Sequence, residues 1–134
     1  MQDALYGDEP TKLSVMVAEE GENWAMADAA ANSLEESKKT VLARITLEYL
    51  ERGIPSSRPG EAPKAMPQSQ ADIRGLADPR YAAHLEQMVA ARREAHLARV
   101  RYDMGKMFIE LHRSKLATKR QEMAMNGERG MNRG

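Results

Sequence analysis

The stretch that decides the fold runs from residue 78 to residue 127, DPRYAAHLEQMVAARREAHLARVRYDMGKMFIELHRSKLATKRQEMAMNG. Asp78 can accept the free amides of a helix N-terminus, and Pro79 stands at the first helical position, where its missing donor costs nothing. Nothing from Arg80 to Met125 compels a break, although Gly105 weakens the middle by about 1 kcal/mol relative to Ala. Asn126-Gly127 ends the pattern. A helix over 79–125 spans roughly 70 Å, far more than a compact monomer of this size needs.

Counting in sevens from Tyr81 puts Tyr81, Met88, Ala95, Tyr102, Ile109, Leu116 and Met123 on one stripe, with His84, Ala91, Ala98, Gly105, His112 and Lys119 beside it. The small residues let another helix approach closely, as the seam of a helical hairpin requires. A second apolar stripe holds Ala83, Ala90, Leu97, Met104, Leu111 and Met125, with Val100, Met107 and Phe108 nearby. It lies about 200° round the wheel from the first, so one partner helix cannot cover both. Leu97, Val100, Met104, Phe108 and Leu111 are therefore expected to join copies of the chain in a homo-oligomer.

A third stripe is cationic. Arg92, Arg99, Lys106, Arg113 and Arg120 recur at intervals of seven, about 10.5 Å apart along the axis, and Arg93, Arg101, Lys115 and Lys119 broaden the row. Such an array can track a nucleic-acid backbone, each neutralised phosphate releasing condensed counterions. It can equally pair with Glu35, Glu36, Glu48 and Glu51 of the preceding helical segment. Both uses are open, at different positions.

Upstream, Trp24, Ala27, Ala31, Leu34, Val41, Ile45 and Tyr49 recur at helical spacing, predicting a helix over 22–52 that Gly53 and Pro55 terminate. A short helix can begin near Lys12, but Gly21 puts its continuity in question. Pro55, Pro59, Pro63 and Pro67 mark an extended connector over 53–68, and Ser69 with Asp72 opens a short helix over 69–77. Residues 1–11 read as a flexible acidic arm, 12–125 as the helical hairpin domain and 126–134 as a flexible tail. The expected fold is all-α.

Of the 134 residues, 56 are hydrophobic, but 20 of these are Ala and 10 are Met, too few large side chains for one deep core. Equal numbers of acidic and basic side chains conceal a division. Residues 1–77 carry 8 basic against 13 acidic groups, a net −5, and residues 78–134 carry 12 against 7, a net +5. This polarity suits an anionic partner at the basic end, head-to-tail pairing of subunits, or two halves matched to each other.

Several classes of chemistry are disfavoured. With no Cys there is no disulfide scaffold or thiolate catalysis. His84, His96 and His112 lack a second ligand at three or four residues, so no metal site is expected. No nucleophile elbow, phosphate-cradling loop or dinucleotide fingerprint occurs, and the carboxylates form no evident catalytic pair. The chain reads as a non-enzyme without cofactors. No apolar run approaches the roughly 18 residues that cross a bilayer, and the acidic start is unlike a secretory signal, so a cytoplasmic protein without membrane contact is expected.

Trp24 opening an Ala-rich helix, the run Glu35-Glu36-Ser37-Lys38-Lys39-Thr40-Val41-Leu42-Ala43, a polar connector, and Ala98-Arg99-Val100-Arg101-Tyr102 on a second long helix resemble the small recombination mediators of tailed phages, the UvsY type. The closing words Arg113-Ser114 and Thr118-Lys119-Arg120-Gln121-Glu122-Met123 are similar to those of phage replication and recombination accessory proteins. The resemblance covers roughly residues 20–123 and rests on layout. It implies a helical hairpin that forms a ring-like homo-oligomer in the host cytoplasm, binds single-stranded DNA, and helps a RecA-like recombinase displace single-strand-binding protein. It maps DNA contact onto Lys38, Lys39 and Arg44 of the first helix and Arg92, Arg99 and Arg101 of the second; the cationic stripe adds Lys106 and Arg113. The Pro-rich connector and neutral overall charge depart from the family pattern. Two alternatives are a phage structural adaptor or scaffold using the helices for protein contacts alone, and an inhibitor of a host nucleic-acid enzyme.

Overall fold

The computed structural model describes residues 10–131, and they are almost wholly helical. Helix α1 covers Pro10–Glu36, α2 Lys38–Arg52, α3 Gln68–Ala77 and α4 Pro79–Met131. Contacts divide the chain into a terminal unit, residues 1–25 with 97–134, and a central unit, residues 26–96. In each of them a segment of α1 lies antiparallel to a segment of α4.

In the terminal unit the antiparallel register follows from two close approaches. A Cβ built on Gly105 of α4 would stand 2.8 Å from Cγ2 of Val17, and one on Gly21 of α1 would stand 2.9 Å from Cε2 of Tyr102. Residue numbers rise on one helix as they fall on the other. Val17, Ala98 and Gly105 are buried, so the small residues of the α4 seam do set the helix separation. Replacing Gly105 by Ala gains about 1 kcal/mol of helix propensity but forces a methyl into a stiff β-branched side chain, an overpacking of about 1–3 kcal/mol. We expect Gly105→Ala to destabilise by about 1 kcal/mol, and Val17→Ala in the same chain to remove that penalty; additive effects in a denaturant double-mutant cycle would contradict this.

The central unit holds the rest of the core. Ala31, Ile45, Met66, Ala71, Tyr81 and Ala95 are buried there, joined by the polar Thr46, Asp78 and His84. Tyr81, His84 and Ala95 belong to the α4 seam read from the sequence. Helix α2 packs on α3, with Gly75 giving room to the Thr46 hydroxyl. Gly53 ends α2 at φ 70°, a left-handed conformation that suits glycine, and its amide donates to the Tyr49 carbonyl at 3.0 Å. The connector is extended but returns on itself: Ile54 and Lys64 exchange backbone hydrogen bonds of 2.7 and 3.0 Å.

Three boundaries differ from the sequence reading. The first helix begins at Pro10 rather than residue 22, because Gly21 serves as the bed for the Tyr102 ring and does not break the helix. That helix is also interrupted before residue 52, at Ser37. There the Ser37 hydroxyl donates to the Leu34 carbonyl at 3.0 Å, and His84 Nε2 lies 2.9 Å from the same oxygen. Since a carbonyl only accepts, Nε2 carries the proton. Two side-chain donors on one helical carbonyl compete with the backbone ladder, which accounts for the bend.

The third difference is at the far end. Helix α4 passes Asn126-Gly127 and continues to Met131, so residues 126–131 of the expected tail are helical. A glycine costs the helix about 1 kcal/mol but removes no donor, and no proline follows to forbid continuation. Pro10 and Thr11, read as part of the acidic arm, are helical; the remainder of that arm, 1–9, and tail residues 132–134 lie outside the described residues.

Candidate nucleic-acid interface

The eight cations singled out in the sequence fall into both units. Lys38, Lys39, Arg44 and Arg92 lie in the central unit; Arg99, Arg101, Lys106 and Arg113 lie in the terminal unit. Their surroundings differ more than their spacing suggested.

Arg92 is held by its own chain. Its Nη1 reaches Asp28 Oδ1 at 2.7 Å, its Nε reaches Glu35 Oε1 at 3.0 Å, and its Nη2 donates to Asn32 Oδ1 at 2.6 Å. Asp28, Asn32 and Glu35 stand on one face of α1 at helical spacing, so a single guanidinium fork spans two turns. The paired carboxylates, Glu35 first, raise its pKa further above the ordinary arginine value. Here the structural pairing read from the sequence is realised. Glu48 is taken likewise by Arg80.

The terminal unit presents a different arrangement. Trp24 of α1 and Tyr102 of α4 stack with ring centroids 5.8 Å apart and planes at 27°. The Arg99 guanidinium lies 5.6 Å from the Trp24 centroid, and Lys106 Nζ lies 4.6 Å from that of Tyr102. Two cations seven residues apart on one helix are thereby each placed over a ring, which attracts them through its negative face. Asp103 sits between them, 3.9 Å from Arg99 and 3.5 Å from Lys106. All three charged side chains are at least half exposed, so these ion pairs contribute little to stability. What they do is fix where positive charge stands.

Arg101 and Arg113 are exposed, and among the described residues they form no ion pair. Lys38 is half-buried; Lys39 and Arg44 are exposed on α2. Lys39 stands at the rim of an open groove of about 560 Å³ between α2 and α3 that includes Leu42, Leu47, Leu50 and Leu76. Sequence spacing had put Tyr102 on the seam and Trp24 at the head of a helix; their mutual stacking was missed, and the only signal for it was that both are aromatic residues on facing apolar stripes.

Beside this cationic cluster runs an apolar surface. Leu97, Val100, Met104, Met107, Phe108 and Leu111 are between 39 and 61% exposed. The residues named as an oligomer contact are therefore on the outside of the terminal unit, while the seam of the same helix is covered down to Gly105.

Among the described residues no group of His, Asp and Glu is arranged to hold a metal ion, and no helix is long and apolar enough to cross a membrane. No family model, no curated protein and no solved structure matches the chain.

Proposed function

We propose that the protein is a non-enzymatic, homo-oligomeric single-stranded DNA-binding recombination mediator that assists a RecA-like recombinase in replacing single-strand-binding protein. The observation that carries the reading is the Trp24–Tyr102 stack with Arg99 and Lys106 over its rings. Aromatic rings interleaved with cations suit single-stranded nucleic acid, because phosphates meet charge while unpaired bases find π surfaces. Cations already held over rings lose less freedom when a phosphate arrives. Arg101 and Arg113 extend the positive track along α4, and the exposed face from Leu97 to Leu111 supplies a surface on which copies associate. The recombinase and the single-strand-binding protein come from the family resemblance alone.

Salt dependence tests the DNA reading. Each phosphate contact on a single strand contributes about −0.7 to the slope of log affinity against log salt. Changing Arg99, Arg101 and Lys106 together to Ala should reduce the slope by roughly 2 and weaken binding at low salt by at least about tenfold. Arg92→Ala should leave the slope nearly unchanged, since that side chain is engaged within the chain. Fluorescence anisotropy with a labelled oligonucleotide reads both. Absence of binding at low salt would sink the proposal.

One observation favours a second reading, an assembly adaptor or scaffold that uses its helices for protein contacts alone. Arg92 shows that part of the cationic stripe serves intrachain pairing. On that reading the outer apolar residues are the sensitive positions and the cations are not.

A further inference from the structure

In the cationic aromatic cluster one anion is already present. Asp103 stands on α4 four residues after Arg99 and three before Lys106, and its two oxygens are divided between them. Oδ2 lies 3.9 Å from Arg99 Nε, and Oδ1 lies 3.5 Å from Lys106 Nζ. Both cations also stand over rings, Arg99 over Trp24 and Lys106 over Tyr102. A phosphodiester presents its charge in the same form, on two oxygens of one group that neighbouring cations can share.

These contacts neutralise without gripping. Charge-assisted hydrogen bonds to a carboxylate close to about 2.7–2.9 Å, and the Arg92 guanidinium meets Asp28, Asn32 and Glu35 at 2.6 to 3.0 Å. Asp103 stays outside that range on both sides. Its side chain is 52% exposed, so water can take over its oxygens when another anion arrives. Helix stability does not account for an aspartate at this position: Asp is among the poorer helix formers, and an acid four residues after its cation has the less favourable order along the helix.

We propose that Asp103 is a stand-in for a strand phosphate, which neutralises Arg99 and Lys106 in the unbound protein and yields when a phosphodiester takes its place between them. The inference rests on the reading of this cluster as a single-stranded nucleic-acid site and adds regulation to it. A phosphate bound there must break both pairs to Asp103, and then faces the displaced carboxylate. Affinity is thereby held below what the two cations alone supply. A strand that has to be passed on is released more readily.

Asp103→Asn keeps the shape of the side chain and removes its charge. In fluorescence anisotropy with a labelled single-stranded oligonucleotide at about 0.1 M salt, it should bind about three- to tenfold more tightly than wild type, the size expected of two exposed ion pairs. Most of the change should lie in a slower release. Glu110→Gln removes another exposed charge, one heptad further along α4; at about 10.5 Å it is largely screened, and the gain should be less than about twofold. In a chain carrying Arg99→Gln and Lys106→Gln, Asp103→Asn should change nothing, since no pair is left to break. Equal gains from Asp103→Asn and Glu110→Gln, or a gain that survives loss of the two cations, would show that only overall charge is felt. Either result, or an unchanged affinity of Asp103→Asn, overturns the stand-in while leaving the DNA reading intact. If neither wild type nor any variant binds the oligonucleotide even at low salt, both fall together.

Discussion

Replacing Asp78 by Ala should lower the melting temperature by roughly 5 °C or more, the largest effect expected of any single polar change in the central unit. The carboxylate joins three elements. It accepts the Tyr49 hydroxyl of α2 at 2.7 Å, the backbone amide of Arg80 at 2.8 Å, which caps α4, and the Arg80 Nε at 3.1 Å. Arg80 in turn reaches Glu48 of α2. Only 6% of Asp78 is exposed, so no water replaces these partners without rearrangement, and removing the carboxylate leaves a donor set without an acceptor. Asp78→Asn keeps the shape but loses the charge, and should fall between Ala and wild type.

The same residue gives the protein an acid sensitivity with a defined sign. Hydrogen bonds from the Arg80 side chain, from the Tyr49 hydroxyl and from the Arg80 amide hold the Asp78 carboxyl well below the usual carboxylate range. A carboxyl whose pKa is lower folded than unfolded contributes its full stability above the unfolded value of about 3.9, and that contribution is lost as the pH falls below it. Wild type should therefore lose stability from about pH 5 downward, and Asp78→Asn should lose less over the same interval. Melting followed by circular dichroism against pH reads the difference; parallel curves would show that the carboxylate is not what acid attacks.

The second large effect is on assembly. Changing Val100 and Met104 together to Asp puts two charges on the outer face of α4, at positions 40 and 51% exposed, so the fold of the chain itself should be undisturbed. At an interface between copies, the same charges are buried without partners, which is costly. Self-association should weaken at least about 100-fold. If DNA binding needs several copies side by side, oligonucleotide affinity falls with it, although Arg99 and Lys106 remain.

Much of the architecture can be read from local pattern, and the parts that cannot have a common cause. The seam residues Tyr81, His84, Ala95, Ala98 and Gly105 are buried, and Leu97, Val100, Met104 and Phe108 face out, because a 3.6-residue period fixes which side chains share a face. Asp78-Pro79 and Gly53 mark helix ends by rules confined to a few residues. The extension of α1 through Gly21 and its bend at Ser37 depend on Tyr102 and His84, which are 81 and 47 positions away in the chain. No local rule sees them.

The candidate interface divides the same way. Spacing by seven placed Arg92, Arg99, Lys106 and Arg113 on one stripe, and the acidic residues of the preceding helix offered a pairing alternative. Which cation takes which course is decided by register: Arg92 comes opposite Asp28, Asn32 and Glu35, whereas Arg99 comes opposite Trp24. In the terminal unit the glycine contacts at Gly21 and Gly105 mark that register, and their meaning emerges only when the helices are paired. Likewise, Asp78 was legible as a cap, but its bond to Tyr49 was not.

The most direct measurement of the central claim, that an exposed apolar face gathers copies beside a cationic aromatic cluster, is light scattering on size-separated protein, with and without a short single-stranded oligonucleotide, at low and high salt. A mass that is a multiple of the single chain's should persist at both salts, with the oligonucleotide co-eluting at low salt and released at high salt. A solitary chain at every concentration, with the oligonucleotide eluting separately even at low salt, would contradict it.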